Sequence, residues 1–170
     1  MIKKFFPKNR YELKELVKNQ SIYLGDICTS AITDMGNLFL RAKRKNFSGI
    51  EYWDTSNVIT MEGMFAECKH FDIPIGCWDV SKVKDMSFMF YGCAAFNQPL
   101  NSWDVSSVEN TESMFNGARA FNQPLDSWKP ANLKIQSRMF HNCKGFTYSL
   151  NDKETCKKIT CHTIILSMKR

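Results

Sequence analysis

Apolar residues recur along this chain in a fixed order and at a fixed distance. Tryptophan stands at positions 53, 78, 103 and 128, each 25 residues after the last. Met64 with Phe65, Met89 with Phe90, Met114 with Phe115 and Met139 with Phe140 keep the same period. So do Phe71, Phe96, Phe121 and Phe146, and a further series of Ile50, Ile75, Leu100, Leu125 and Leu150. Independent series that share one period of this length mean stacked units, each burying its apolar face against its neighbours. A degenerate first copy holds Ile32, Met35, Leu38 and Phe39, in register with Val83, Met86, Met89 and Phe90. It precedes the second copy by 26 residues, so one extra residue falls between them, in the basic stretch 41–45.

Within a unit the spacing predicts two elements. Val83, Met86, Met89 and Phe90 mark one face of a short helix or 3-10 segment, with Ser81 before it as an N-cap; Ser56 and Ser106 recur there. Residues 96–103 carry Phe96, Pro99, Leu100 and Trp103 and read as a short strand with its turns. Stacked copies would pair such strands in parallel about 4.8 Å apart. The expected fold is therefore an α/β repeat solenoid with short parallel strands and short helical turns. Residues 7–18, with Pro7 near the start and Leu13, Leu16 and Val17 on one face, predict a helix. It lies where the first open edge of a stack needs a cover. Three parts follow: a capping segment over 1–30, about five repeats over 31–150, and a cap or tail over 151–170. The tail lacks both Trp and the Met–Phe pair.

Composition changes this picture little. The 170 residues are 44% hydrophobic and 24% charged, as in an ordinary globular protein. The net charge of +6 is unevenly placed, and this matters more than its size. Residues 1–45 carry 10 basic and 4 acidic side chains, residues 46–151 carry 8 and 11, and residues 152–170 carry 5 and 2. Basic ends around a mildly acidic body argue against nucleic acid as a partner, since a binding stripe runs along the body of a fold. The dense basic run 41–45 reads as a solvated loop. No apolar stretch is long enough to span a bilayer, and no secretory signal is visible, which points to the cytoplasm. The sequon at 46–48 matters only for an exported chain.

The strings FNQPLNSWDVSSV, FNQPLDSW, MSFMFYGCAAF and ITDMGNLF resemble the repeats of BspA-type leucine-rich-repeat surface proteins, also described as mycoplasma-type lipoprotein repeats. The opening FFPKNRYELKELV followed by ICTSAITDM is similar to the segment that precedes the repeats in bacterial members. The resemblance spans about residues 5–150. It implies a leucine-rich-repeat-like, right-handed coil stack without a catalytic centre. It also implies a cell-surface place and a role in binding host molecules or other cells.

The chemistry-bearing residues mostly read as structural. Asp54, Asp79 and Asp104 follow Trp and suit the bends, where short polar side chains bond free backbone N–H groups. Cys68, Cys93 and Cys143 share one repeat position with Ala118, so that position wants a small buried side chain. Cys77 stands where other copies have Ser. Cys156, Cys161 and His162 are the sharpest metal candidate, yet their spacing is off and no second pair is near. No enzyme, cofactor or metal site is expected.

The expected function is a monomeric, non-enzymatic module that binds a protein or an extracellular ligand. Its sheet-side surface would include Glu51, Gly76, Asn101 and Asp126 at one variable position and Gln98 and Gln123 at another. A structural spacer or a fragment of a larger surface array is the alternative. A thiol or metal protein using the C-terminal cysteines is the third reading.

Overall fold

The structure, a computed structural model, describes residues 2–146. Regular elements are few. Helix α1 spans Arg10–Lys18, and single 3-10 turns occur at Leu24–Asp26 and Ile50–Tyr52. Asn9 caps α1 by accepting the Glu12 N–H at 3.0 Å, and the Glu12 carboxylate accepts the Lys8 N–H in return. This reciprocal cap starts the helix at Arg10, three residues beyond Pro7.

The expected α/β solenoid with parallel strands is corrected here. Among the described residues there is no strand and no sheet, only isolated parallel bridges that link Asp34 to Thr60, Thr60 to Asp85, Asp85 to Asn110 and Asn110 to Ile135, with one more between Phe5 and Ile27. Nor does a helix follow Ser56, Ser81 or Ser106. The chain is built of turns instead.

The reason lies in how the backbone N–H groups alternate. Over residues 86–93, Met86, Phe88, Phe90 and Gly92 donate to the carbonyls of Asn110, Glu112, Met114 and Asn116 in the next coil. Between them, Met89, Tyr91 and Cys93 donate back to Met86, Phe88 and Phe90, three residues earlier. Half the donors are thus locked in local turns, which shortens the chain too much for an extended strand. A positive φ at Phe88 (56°) and Gly92 (67°), the third residue of two of these turns, makes them type II and stops a right-handed helix. The device recurs at Asn37 and Arg41, Gly63 and Glu67, Ser113 and Gly117, and Arg138 and Asn142. Five coils therefore stack through their turns, over residues 35–42, 61–68, 86–93, 111–118 and 136–143.

Residues 96–103 do not pair as a strand either. Pro99 has no N–H to give a ladder. The Asn97 N–H donates to the Asp72 side chain at 2.9 Å, and the Asn122 N–H donates to the Asn97 side chain at 2.9 Å. Side-chain acceptors replace carbonyls along this face.

The core is a set of aromatic columns. Phe39, Phe65, Phe90, Phe115 and Phe140 stack with centroids 5.4 to 5.9 Å apart. Phe71, Phe96, Phe121 and Phe146 form a second column at 5.6 to 6.0 Å. Within a coil the two columns meet closely, as at Phe90 and Phe96, 4.1 Å apart. The indole N–H groups of Trp53, Trp78, Trp103 and Trp128 donate to the carbonyls of Leu24, Ile50, Ile75 and Leu100. Each indole so ties its rung to the one before and satisfies its own donor.

The N-terminal segment closes one end of the stack. Leu13, Val17, Leu24 and Ile27 are buried with Ile32 and Met35 of the first coil. Arg44 fastens this segment, which corrects the reading of residues 41–45 as a wholly solvated loop. Its buried guanidinium donates to the carbonyls of Val17, Asn19, Ile22 and Asn46. The first three lie at and just beyond the C-terminal end of α1, where free carbonyls favour a cation.

Candidate functional site

The turns create a surface that the strand-and-helix reading did not anticipate. Side chains at the third residue of each first turn stand in a row: Asn37, Gly63, Phe88, Ser113 and Arg138. Beside them run Leu40, Ala66, Tyr91, Asn116 and His141. An open groove of about 440 Å³ lies along these rows and touches all five coils. Gly63 and Ala66 in the second coil, and Ser113 and Asn116 in the fourth, are small. Phe88 and Tyr91 in the third stand between them, their rings 6.1 Å apart and inclined by 59°.

Charge on the groove is mostly negative. Glu62, Glu67 and Glu112 line it, with Arg138 at the far end. The Arg41 guanidinium pairs with Glu67 at 2.8 Å and holds that carboxyl below the usual carboxylate range. The side-chain carboxylates of Glu62 and Glu112 have no hydrogen-bond or ion-pair partner among the described residues. The sequence did carry a signal for this surface: the two residues just before each Met–Phe pair change in size and charge from coil to coil. Without the turn geometry nothing placed them on one face.

The structure places the sequence-derived candidates on another side of the coil, and it ties most of them to their neighbours. Gln98 Nε2 donates to the Asp72 carbonyl, Gln123 Nε2 to the Asn97 carbonyl, and the Asn101 side chain accepts the Ser127 N–H. Glu51 accepts the Gly49 N–H within its own coil. Gly76 is where the next coil comes close, since a Cβ there would lie 2.7 Å from the Pro99 carbonyl oxygen. Asp126 is exposed.

The aspartates after tryptophan make Asx turns. Asp54 and Asp79 each accept both the N–H and the hydroxyl of the serine two residues on, and Asp104 accepts the Ser106 N–H. Those bonds hold all three carboxyls below their ordinary range. The serines expected as helix caps are therefore donors to aspartate caps.

The repeated thiols face inward. Cys68, Cys93 and Cys143 donate to the carbonyls of Phe39, Phe65 and Ala118. Burial pushes Cys68 up to about 11 and Cys143 up to about 12, and raises Cys93 well above the ordinary thiol value. Cys77 is exposed and hydrogen-bonds the Glu51 carbonyl, as Ser102 does the Gly76 carbonyl. Cys28 is half-buried, and its thiolate is favoured by the Ser30 hydroxyl. Brief alkylation of the native protein at about pH 8 is expected to modify Cys28 and Cys77 and to spare Cys68, Cys93 and Cys143 until denaturant is added. Peptide mass spectrometry reads the result, and early labelling of Cys93 would contradict the packing described. Among the described residues no group of three or more His, Cys, Asp or Glu is placed to hold a metal ion. Cys156, Cys161 and His162, and the tail over 151–170, lie outside the described residues.

This geometry defines a class: a chain of turn-built coils joined rung to rung, with a variable groove on the turn side. The family model described as "Mycoplasma protein of unknown function, DUF285" matches residues 8–120 and again residues 77–169. The chain belongs to that family. No curated protein and no solved structure matches it. Among the described residues no helix is long and apolar enough to cross a membrane.

Proposed function

We propose that this chain is a non-enzymatic binding module for a protein ligand, with the turn-side groove as its receptor surface. The observation that carries the reading is the groove itself. It lies on a constant frame, spans five coils, and is lined by side chains that change from one rung to the next. The likeness of FNQPLNSWDVSSV and MSFMFYGCAAF to BspA-type surface repeats supports the same role and suggests a partner outside the cell. The spacer reading has one observation in its favour: Gln98, Asn101 and Gln123 spend their hydrogen bonds on adjacent coils.

Panning a random peptide library against the immobilised full chain separates the two. Asn116 is half-buried in the groove, and its backbone bonds do not involve its side chain. Asn116→Trp should therefore fill the groove without breaking the coil. Clones retained by the native protein and lost with Asn116→Trp are the expected outcome. A library that yields no groove-dependent clone favours the spacer.

A further inference from the structure

The groove's chemistry narrows the ligand, on the premise that it is the receptor surface. Glu62 and Glu112 occupy equivalent positions in the second and fourth coils. Two coil spacings separate them, roughly 10 Å at the usual strand-to-strand distance. The third coil, midway, presents Phe88 and Tyr91 to the groove, with Ser87 buried at the position equivalent to the two glutamates. A cation laid over the rings of that coil would thus have a carboxylate on either side, within reach of flexible side chains. Aromatic faces attract cations electrostatically, and carboxylates supply the charge-assisted hydrogen bonds. Glu67 is already committed to Arg41 on the rim, which leaves Glu62 and Glu112 as the acceptors still open. Arg138 ends the acidic run at the fifth coil. The acidic character is local to this face: residues 46–151 carry three more acidic than basic side chains, within a chain whose net charge is +6.

We propose that the groove takes an extended basic segment of a partner protein, with one arginine or lysine held between Glu62 and Glu112 against Phe88 and Tyr91. An arginine fits best, because its planar guanidinium can stack on a ring and bond two carboxylates at once. The probe is a fluorescein-labelled octapeptide of glycine and serine with a central arginine pair, titrated by anisotropy against the full chain. Matched peptides carry citrulline or glutamate in place of arginine. Saturable binding of the arginine peptide alone is expected. Glu62→Gln with Glu112→Gln should weaken it about tenfold or more, and Tyr91→Leu by about fivefold. Both variants should keep the native thermal transition, since these side chains lie on the surface. Equal binding of the citrulline or glutamate peptide overturns the proposal, as does unchanged affinity in the double variant. The library tells the two failures apart. Groove-dependent clones without basic residues refute the cation and leave the binding module standing, whereas the absence of groove-dependent clones refutes both.

Discussion

Phe90→Ala is expected to cost about 3–5 kcal/mol of folding stability, the range for a buried aromatic truncated to a methyl group. Phe90 is fully buried in the middle coil. Its ring lies between those of Phe65 and Phe115, at 5.9 and 5.4 Å, and stacks on Phe96 at 4.1 Å. Trp103 is a further neighbour at 6.4 Å. Removing the ring opens a void at the junction of two columns. The surrounding coils cannot collapse into it, because their backbones are held at a fixed spacing by N–H to carbonyl bonds above and below. Urea unfolding followed by tryptophan fluorescence measures the loss. A cost below about 1 kcal/mol would show that the coils relax freely, against the packing described.

Removing residues 1–30 should have the larger effect and leave no soluble monomer. The segment buries Leu13, Val17, Leu24 and Ile27 and covers Ile32 and Met35 of the first coil. It also supplies the Leu24 carbonyl to the Trp53 indole and the Thr29 hydroxyl to the Asp54 carbonyl. Without it the first coil turns an apolar face to water, and exposed ends of stacked-coil proteins aggregate. Size-exclusion chromatography checks the outcome, and a monomer with an unchanged melting temperature would mark the segment as an independent arm. Arg44→Ala is the milder form of the same experiment. It leaves the Val17, Asn19 and Ile22 carbonyls without their cationic donor, and about 2–4 kcal/mol should be lost.

The period of the chain was legible because every core column repeats the same residue types. Trp at 53, 78, 103 and 128 and Phe at 71, 96, 121 and 146 need no structure to be seen. The local conformation was not legible, for two physical reasons. Apolar spacing at Val83, Met86 and Met89 is the same for a 3-10 helix and for linked four-residue turns, since both place every third residue on one side. What distinguishes them is the left-handed φ, and glycine announces it only at Gly63, Gly92 and Gly117. At Phe88, Arg138 and Glu67 the same backbone is carried by residues that disfavour it, so the turn signature is hidden. Pro99 pointed away from a strand, but the Asp72 and Asn97 side chains that take the place of a ladder are separated from their donors by a full coil. Arg44 looked like one more charge in a basic run, and three of its four carbonyl partners lie more than 20 residues away, at and just beyond the end of α1.

The alternation of donors also sets the unit in which this chain can change length. Each coil offers the next the same row of N–H groups and receives the same row of carbonyls, so a whole coil of 25 residues can be gained or lost with every rung still matched. A single added residue within a turn run has no such freedom. It would bring the N–H groups of Met89, Tyr91 and Cys93, already bound within their own coil, into the positions that must reach the next one. The 26-residue step between the first two copies fits this rule, because its extra residue falls outside the bonded turns. Genetic variation in this family should therefore come as duplications and deletions of entire coils, lengthening or shortening the groove in steps while its cross-section stays constant.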